Sequence, residues 1–274
     1  MILFPNCKIN LGLRVVRKRP DGYHDIETVM VPVQGLCDAL EILPDAGEGC
    51  TFTSSGLAID APAEKNLCVK AYDLMHRRYG IGGVKMHLHK HIPFGAGLGG
   101  GSSDAVFALR MLDETFGLNL PDMELESLAA ELGSDTVFFV KNRPMLAEGR
   151  GERLTPVDVN LSGLYILLVK PPFGVSTAES YAGITPTEPK TPLTEILSAD
   201  ISTWKNSLQN DFEPSVFRKY PEIAAIKQSL YDSGALYASM SGSGSAVFGL
   251  FGRIPPLESI QFPGNYFIYG ADML

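Results

Sequence analysis

The stretch VKMHLHKHIPFGAGLGGGSSDAVFALRMLDETFG, residues 84–117, decides the reading of this chain. Its first part, residues 84–92, alternates apolar and polar side chains, the period of a strand with one buried face. Its last part, residues 105–116, carries apolar residues at helical spacing and stops at Gly117. Between them five of the seven residues from Gly95 to Gly101 are glycine. Glycine costs folding entropy, so this density demands a reason. A flexible linker is one; a loop whose N–H groups close around phosphate is another. A linker would not be set so tightly between two ordered elements. Strand, glycine loop and helix N-terminus is the order of an anion site, with Ser102 and Ser103 expected to cap the helix.

The bounds of the chain are those of a soluble globular protein. Its 274 residues suffice for two ordinary domains or one large one. It is 45% hydrophobic and 20% charged, as globular proteins are. A net charge of -8 argues against nonspecific nucleic-acid binding, which needs a basic face. It leaves room for a local basic pocket. Cys7, Cys37, Cys50 and Cys68 form no C-x-x-C pair and no zinc spacing; they read as small buried hydrophobes in a reducing cytoplasm. The opening MILFPNCKIN has too short an apolar run for a signal peptide. No segment offers the ~18 apolar residues of a membrane span. The expected protein is cytoplasmic, binds neither nucleic acid nor membrane, and is a monomer or a homodimer.

Outward from the loop, no repeat or low-complexity tract appears. In residues 8–15, Ile9, Leu11, Leu13 and Val15 alternate with Lys8, Asn10, Gly12 and Arg14, a half-buried strand. Lys8 and Asn10 then share the face opposite the core side chains. Arg19-Pro20-Asp21-Gly22 is a turn by its chemistry, followed by Tyr23-His24. Strands are expected within 28–43. A helix is expected over 66–79, with Leu67, Ala71, Leu74 and Met75 on one stripe and Gly80 as its stop. Another runs from about 122 to 132, closed by Gly133. Near Pro156 the texture changes. A strand over 165–172 opens a second half, with a helix over 221–234 carrying Pro at its first turn. Strand LYASM, the tight SGSGS at 241–245, strand AVFGLF and a last strand near YFIYG follow. The fold class is α+β, with domains 1–158 and 159–274.

The glycine loop fits none of the commonest phosphate motifs. Gly95-x-Gly97-x-x-Gly100 matches the dinucleotide fingerprint formally, but about 20 residues on the chain is still helical, at Asp113 and Glu114. A Walker A loop needs a lysine that this loop lacks. A protein-kinase loop joins two strands and precedes V-A-I-K, which is absent. Pro93-x-Gly95-x-Gly97-Leu98-Gly99-x-x-Ser102-Ser103 instead resembles the central motif of the GHMP kinases (galactose, homoserine, mevalonate and phosphomevalonate kinases). Lys8-Ile9-Asn10-Leu11 resembles that family's first motif and Ser241-Gly242-Ser243-Gly244-Ser245 its third. Three motifs in order span nearly the whole chain. Further pieces resemble the branch that phosphorylates a cytidine diphosphate conjugate in the non-mevalonate isoprenoid pathway. They are Pro20-Asp21-Gly22-Tyr23-His24, Gly99–Ala105, Gly133-Ser134-Asp135, Ala147-Glu148-Gly149-x-Gly151-Glu152 and Asn210-Asp211-x-Glu213. Two departures stand out: Thr136-Val137 replaces the family's usual Val-Pro, and the segment after Gly252 is short for its last helix.

The resemblance implies a two-domain GHMP kinase fold with the active site in the inter-domain cleft. It implies ATP as phosphoryl donor, bound by Pro93, Gly95, Gly97, Leu98, Gly99, Gly100, Gly101, Ser102 and Ser103, with Asn66 and Leu67 lining the adenine pocket. Mg²⁺ would accompany ATP, and a hydroxyl of Ser102 or Ser103 could help ligate it. Asp135 is implied as the base for the substrate hydroxyl, with Lys8 holding it ionised and Asn10 beside the substrate. An ordinary aspartate, with a pKa of about 4, is a weak base for an alcohol. In a loose transition state its larger task is orientation. Tyr23 and Tyr181 are implied as stackers on cytosine, His24 as the reader of its edge and Thr177 as a neighbouring contact. Read alone, Asp135 is a cap or turn residue, Lys8 a solvated lysine and Tyr181 a core-packing helix residue. His87, His89 and His91 share a strand face, a spacing that could bind metal. With no acidic or cysteine ligand nearby they read as a polar face. Two alternatives stay open: another GHMP kinase, homoserine or mevalonate kinase-like, and a non-catalytic nucleotide sensor on the same fold. Dependence on the cytosine base separates the first, and ATP turnover the second.

Overall fold

The computed structural model describes residues 1–59, 62–256 and 260–273. The chain begins with strands β1 (Ile2–Leu3), β2 (Asn6–Lys18), β3 (His24–Cys37), β4 (Ala39–Asp45) and β5 (Cys50–Gly56). Helix α1 (Leu67–Tyr79), β6 (Gly83–Lys90), α2 (Gly100–Phe116), α3 (Asp122–Leu132) and α4 (Thr136–Lys141) follow. Then come β7 (Met145–Gly149), β8 (Arg153–Pro156), β9 (Tyr165–Lys170) and α5 (Thr177–Ala182). The last part holds α6 (Leu193–Ser198), α7 (Ile201–Ser207), α8 (Glu213–Lys219), α9 (Pro221–Asp232), β10 (Tyr237–Met240), β11 (Val247–Phe251) and β12 (Phe267–Asp272). Among the described residues no helix follows β11, and none is long and apolar enough to cross a membrane.

Two compact units interleave along the chain. One comprises 1–7, 36–93 and 99–142; the other 8–35, 94–98 and 143–274. This partition differs from a single division at 158, because the chain crosses between the units several times. The glycine loop is itself divided, its first half in one unit and its second half in the other.

The first unit builds a sheet in the order β1-β4-β6-β5, with β5 parallel to β6 and the other pairs antiparallel. Helices α1 and α2 pack on each other. Of the expected stripe of α1, Ala71, Leu74 and Met75 are buried, and Leu67 at its start is only half-buried. Each fully buried Leu or Met contributes about 1.5–3 kcal/mol. Asn66 caps α1 by accepting the Cys68 N–H at 2.9 Å. The polar face of β6 is as expected: His87 and His89 bond to the hydroxyls of Thr53 and Ser55 on β5. No group of three or more His, Cys, Asp or Glu among the described residues could hold a metal ion.

The second unit carries sheets β2-β3-β7-β8 and β10-β11-β9-β12, the latter antiparallel throughout. Strand β2 corrects the half-buried expectation. From Asn6 to Leu13 it is buried on both faces, so Lys8 and Asn10 lie inside rather than in water. Alternation reports which residues share a face; it cannot report that the second face is also covered. The β9–β11 sheet packs on α8 and α9 around Leu167, Val169, Phe212, Ile223, Ile226 and Val247.

Candidate active site

The first and third motifs and the first half of the glycine loop meet at one point. The Lys8 ammonium, 2% exposed, donates to Asn10 Oδ1 at 2.6 Å and to the Gly97 carbonyl at 2.9 Å. The Ser241 hydroxyl donates to the same carbonyl at 2.9 Å and to Asn10 Oδ1 at 3.5 Å. Asn10 Nδ2 in turn donates to Thr28 Oγ1 on β3 at 3.1 Å. Gly97 is at φ 72°, and a Cβ there would lie 1.9 Å from the Ser241 carbonyl oxygen. Only glycine permits this approach.

Four successive carbonyls of the loop are held the same way. Gly95 O accepts from Ser245 N at 3.1 Å and Ala96 O from Ala246 N at 3.2 Å. Gly97 O takes Lys8 and Ser241, and Leu98 O accepts from Lys8 N at 2.9 Å. A trans peptide points its N–H opposite to its C=O. The N–H groups of Ala96, Gly97, Leu98 and Gly99 are each thereby turned away from the anchor of their own peptide's carbonyl. The Leu98 side chain is buried, so this residue can offer a ligand only its backbone.

Asn210-Asp211-x-Glu213 braces this node, a role the sequence left blank. Asn210 Nδ2 donates to the carbonyls of Met240 and Gly242, both at 2.8 Å. Glu213 Oε1 accepts from Met240 N at 2.9 Å, and its other oxygen from Lys227 at 2.6 Å. Asp211 Oδ2 accepts from Val15 N at 2.8 Å, joining the same segment to β2. Burial pushes the Asp211 carboxyl up, against the Val15 N–H and Arg14.

The aromatic residues lie in the same unit. The His24 ring stacks on Tyr181 at 4.8 Å with 16° between planes, and Phe212 meets the Tyr181 ring edgewise at 4.8 Å. Tyr23 is 57% exposed, and its partner is the Arg150 guanidinium at 4.8 Å from the ring centroid. Tyr23 and Tyr181, expected as the two faces of one base slot, are thus each matched with a protein group. Thr177 opens α5 within 3.3 Å of the Ser243 hydroxyl, beside the third motif.

The other expected residues belong to the first unit: Asn66, Leu67, Pro93, Gly99, Gly100, Gly101, Ser102, Ser103 and Asp135. Ser102 and Ser103 do not cap α2. The helix starts at Gly100, its N-cap is Gly99 at φ 70°, and both serines lie in its first turn. The left-handed glycine lets the helix begin earlier than a serine cap would. Ser103 is fully buried, and its Oγ has no hydrogen-bond partner. Beneath this turn Lys90 is paired with Asp38 and, at 2.7 Å, with Asp104. Asp38 Oδ1 also accepts from the N–H groups of His91 and Ile92 at 2.6 and 2.8 Å, fixing the exit from β6. Burial, only partly offset by Lys90, pushes the Asp104 carboxyl up to about 8.

Asp135 stands at the N-terminus of α4, half-buried, and its side chain does not cap that helix. Thr136, the departure from the usual motif, donates its hydroxyl to the carbonyls of Ala129 and Gly133. It ties the end of α3 to the start of α4 and so sets the Gly133-Ser134-Asp135 turn without the proline.

Comparisons with known proteins show the family. The GHMP kinases N terminal domain matches residues 66–143 and the GHMP kinases C terminal domain residues 193–259. The 4-diphosphocytidyl-2-C-methyl-D-erythritol kinase of Parabacteroides distasonis is 52% identical over 92% of both chains. That of Bacteroides fragilis is 51% identical over 97% of both. A crystal structure of 4-(cytidine 5'-diphospho)-2C-methyl-D-erythritol kinase superposes with a TM-score of 0.79 at 35% identity, covering 91% of this chain and 90% of the other. Homoserine kinase from Cytophaga hutchinsonii, at 19% identity and a TM-score of 0.66, shares the fold. The chain belongs to the GHMP kinases, in the family of 4-diphosphocytidyl-2-C-methyl-D-erythritol kinases.

Proposed function

We propose that this chain transfers the γ-phosphoryl group of ATP to a hydroxyl of 4-diphosphocytidyl-2-C-methyl-D-erythritol, in the non-mevalonate route to isoprenoid precursors. The observation that carries this reading is the glycine loop, whose four consecutive carbonyls are all hydrogen-bonded within the protein. Phosphoryl transfer asks chiefly for positioning and charge neutralisation, and backbone N–H groups supply both. Helix α2, starting at Gly100, adds the positive end of its dipole.

The hydroxyl oxygen forms the new bond to phosphorus as the bond to the ADP oxygen breaks. Asp135 orients that hydroxyl and takes its proton. Lys8 and Asn10 hold the Gly97 peptide and line the approach of the hydroxyl. Tyr23, Tyr181 and His24 bind the cytosine, Thr177 lies beside them, and Asn66 and Leu67 border the adenine. Mg²⁺, when bound with ATP, neutralises charge on the phosphates. Among the described residues no group of three or more His, Cys, Asp or Glu could hold the ion, which fits one held mainly by phosphate and water. The protein acts in the cytoplasm.

The test is turnover of purified protein with ATP against four acceptors: the cytidyl conjugate, homoserine, mevalonate and galactose. The expected result is phosphorylation of the cytidyl conjugate alone. Phosphorylation of homoserine or mevalonate instead would refute the reading, and no turnover of any acceptor would favour a nucleotide sensor.

A further inference from the structure

The turn between β7 and β8 is built to hold one side chain in place. Gly149 and Gly151 have φ of 70° and 109°, a conformation that glycine adopts freely. The Glu152 carboxylate accepts the Arg150 N–H at 2.6 Å and packs on Gly149, where a Cβ would lie 2.9 Å from Oε1. The Gly151 N–H donates to the Glu148 carbonyl at 3.1 Å. The residue so displayed between the glycines is Arg150, whose guanidinium lies over the Tyr23 ring.

Its charge is not spent inside the protein. On β2 and the turn after it, Arg14 pairs with Glu27, Arg17 with Asp25, and Arg19 with Asp21 and Asp25. No ion pair among the described residues includes Arg150. The carboxylate that feels its field, Asp21, is already held by Arg19 and by the Tyr23 N–H at 3.1 Å. An exposed arginine over an aromatic ring keeps its in-plane N–H donors available, and those donors match phosphate oxygens two at a time.

We propose that Arg150 is a specificity-determining residue of the substrate site: displayed over Tyr23, it binds the diphosphate of a cytidine diphosphate ligand whose base lies on the neighbouring aromatic rings. This rests on the cytidyl reading above. It assigns the anionic part of the ligand, which the base-binding residues do not touch, to a residue from a different strand pair.

Calorimetry with cytidine 5′-diphosphate and with cytidine tests it, on the parent and on Arg150→Gln, Arg150→Lys and Tyr23→Ala. For Arg150→Gln the affinity for the diphosphate falls at least tenfold and that for cytidine changes less than twofold. Arg150→Lys recovers part of the loss, and the salt dependence of diphosphate binding flattens in Arg150→Gln. Equal loss for both ligands, or no loss for either, overturns the assignment. The cytidyl reading fails separately, if the parent binds neither ligand or if Tyr23→Ala leaves both affinities unchanged.

Discussion

Two buried lysines stand at the two halves of the glycine loop and hold different segments in place. In one unit Lys90, 1% exposed, is paired with Asp38 and Asp104. Burial works against its charge, and the two carboxylates outweigh this and raise its pKa. In the other unit Lys8, 2% exposed, donates to an amide oxygen and to the Gly97 carbonyl. Breaking a buried ion pair is expensive because an uncompensated charge stays behind, so Lys90 is tied to stability. Through its two bonds Lys8 ties the first motif to the glycine loop. Burial alone does not separate a structural lysine from one placed for chemistry; the segment each one holds in place does.

The largest expected effect lies on the Lys90 side. Lys90→Met leaves the Asp38 and Asp104 carboxyl groups buried without their common partner and should cost about 3–5 kcal/mol in urea unfolding. Asp104 sharpens the point through pH. Its folded pKa of about 8 exceeds the ordinary 3.8, so the folded state keeps a proton that the unfolded state has released. The stability this gives is complete below about pH 4 and is lost as the pH rises through 8. Asp104→Asn removes that slope: it should be near neutral at pH 4 and more stable than the parent at pH 9. A parallel loss at both pH values would break the account of the triad.

A smaller effect separates packing from ligand contact within the loop. A Cβ at Gly100 would lie 2.8 Å from Ile92 Cγ2, so substitution there disturbs the core. Nothing lies within 4 Å of a Cβ at Gly101. Gly101→Val should therefore keep the melting temperature while weakening ATP about tenfold, or 1.4 kcal/mol. Unchanged ATP affinity in calorimetry would move the phosphate away from the first turn of α2.

Much of this was legible in the sequence because it is local. The strand, loop and helix around Gly95–Gly101 follow from alternation, glycine density and helical spacing, and Gly80 ends α1 by its own chemistry. The start of α2 was not legible: a serine is a good cap in general, and only the left-handed conformation of Gly99 moves the start to Gly100. The brace of Asn210 and Glu213 on the third motif escaped for a different reason. Its bonds join residues about 30 positions apart, and no periodicity records them. Arg150 escaped because the G-x-G-E pattern announces a turn without saying what its displayed side chain meets. The interleaving of the two units likewise depends on pairings distant in the chain.

The central claim is that a hydroxyl oriented by Asp135 receives the phosphoryl group. Single-turnover transfer from ATP to the cytidyl conjugate, with both ligands confirmed to saturate, tests it most directly. Asp135→Asn keeps the shape of a side chain that does not cap α4, so folding and binding should persist. The account predicts a rate lower by about 10²–10⁴-fold, the usual contribution of a general base. A rate within a few-fold of the parent would leave Asp135 as a turn residue and contradict the mechanism.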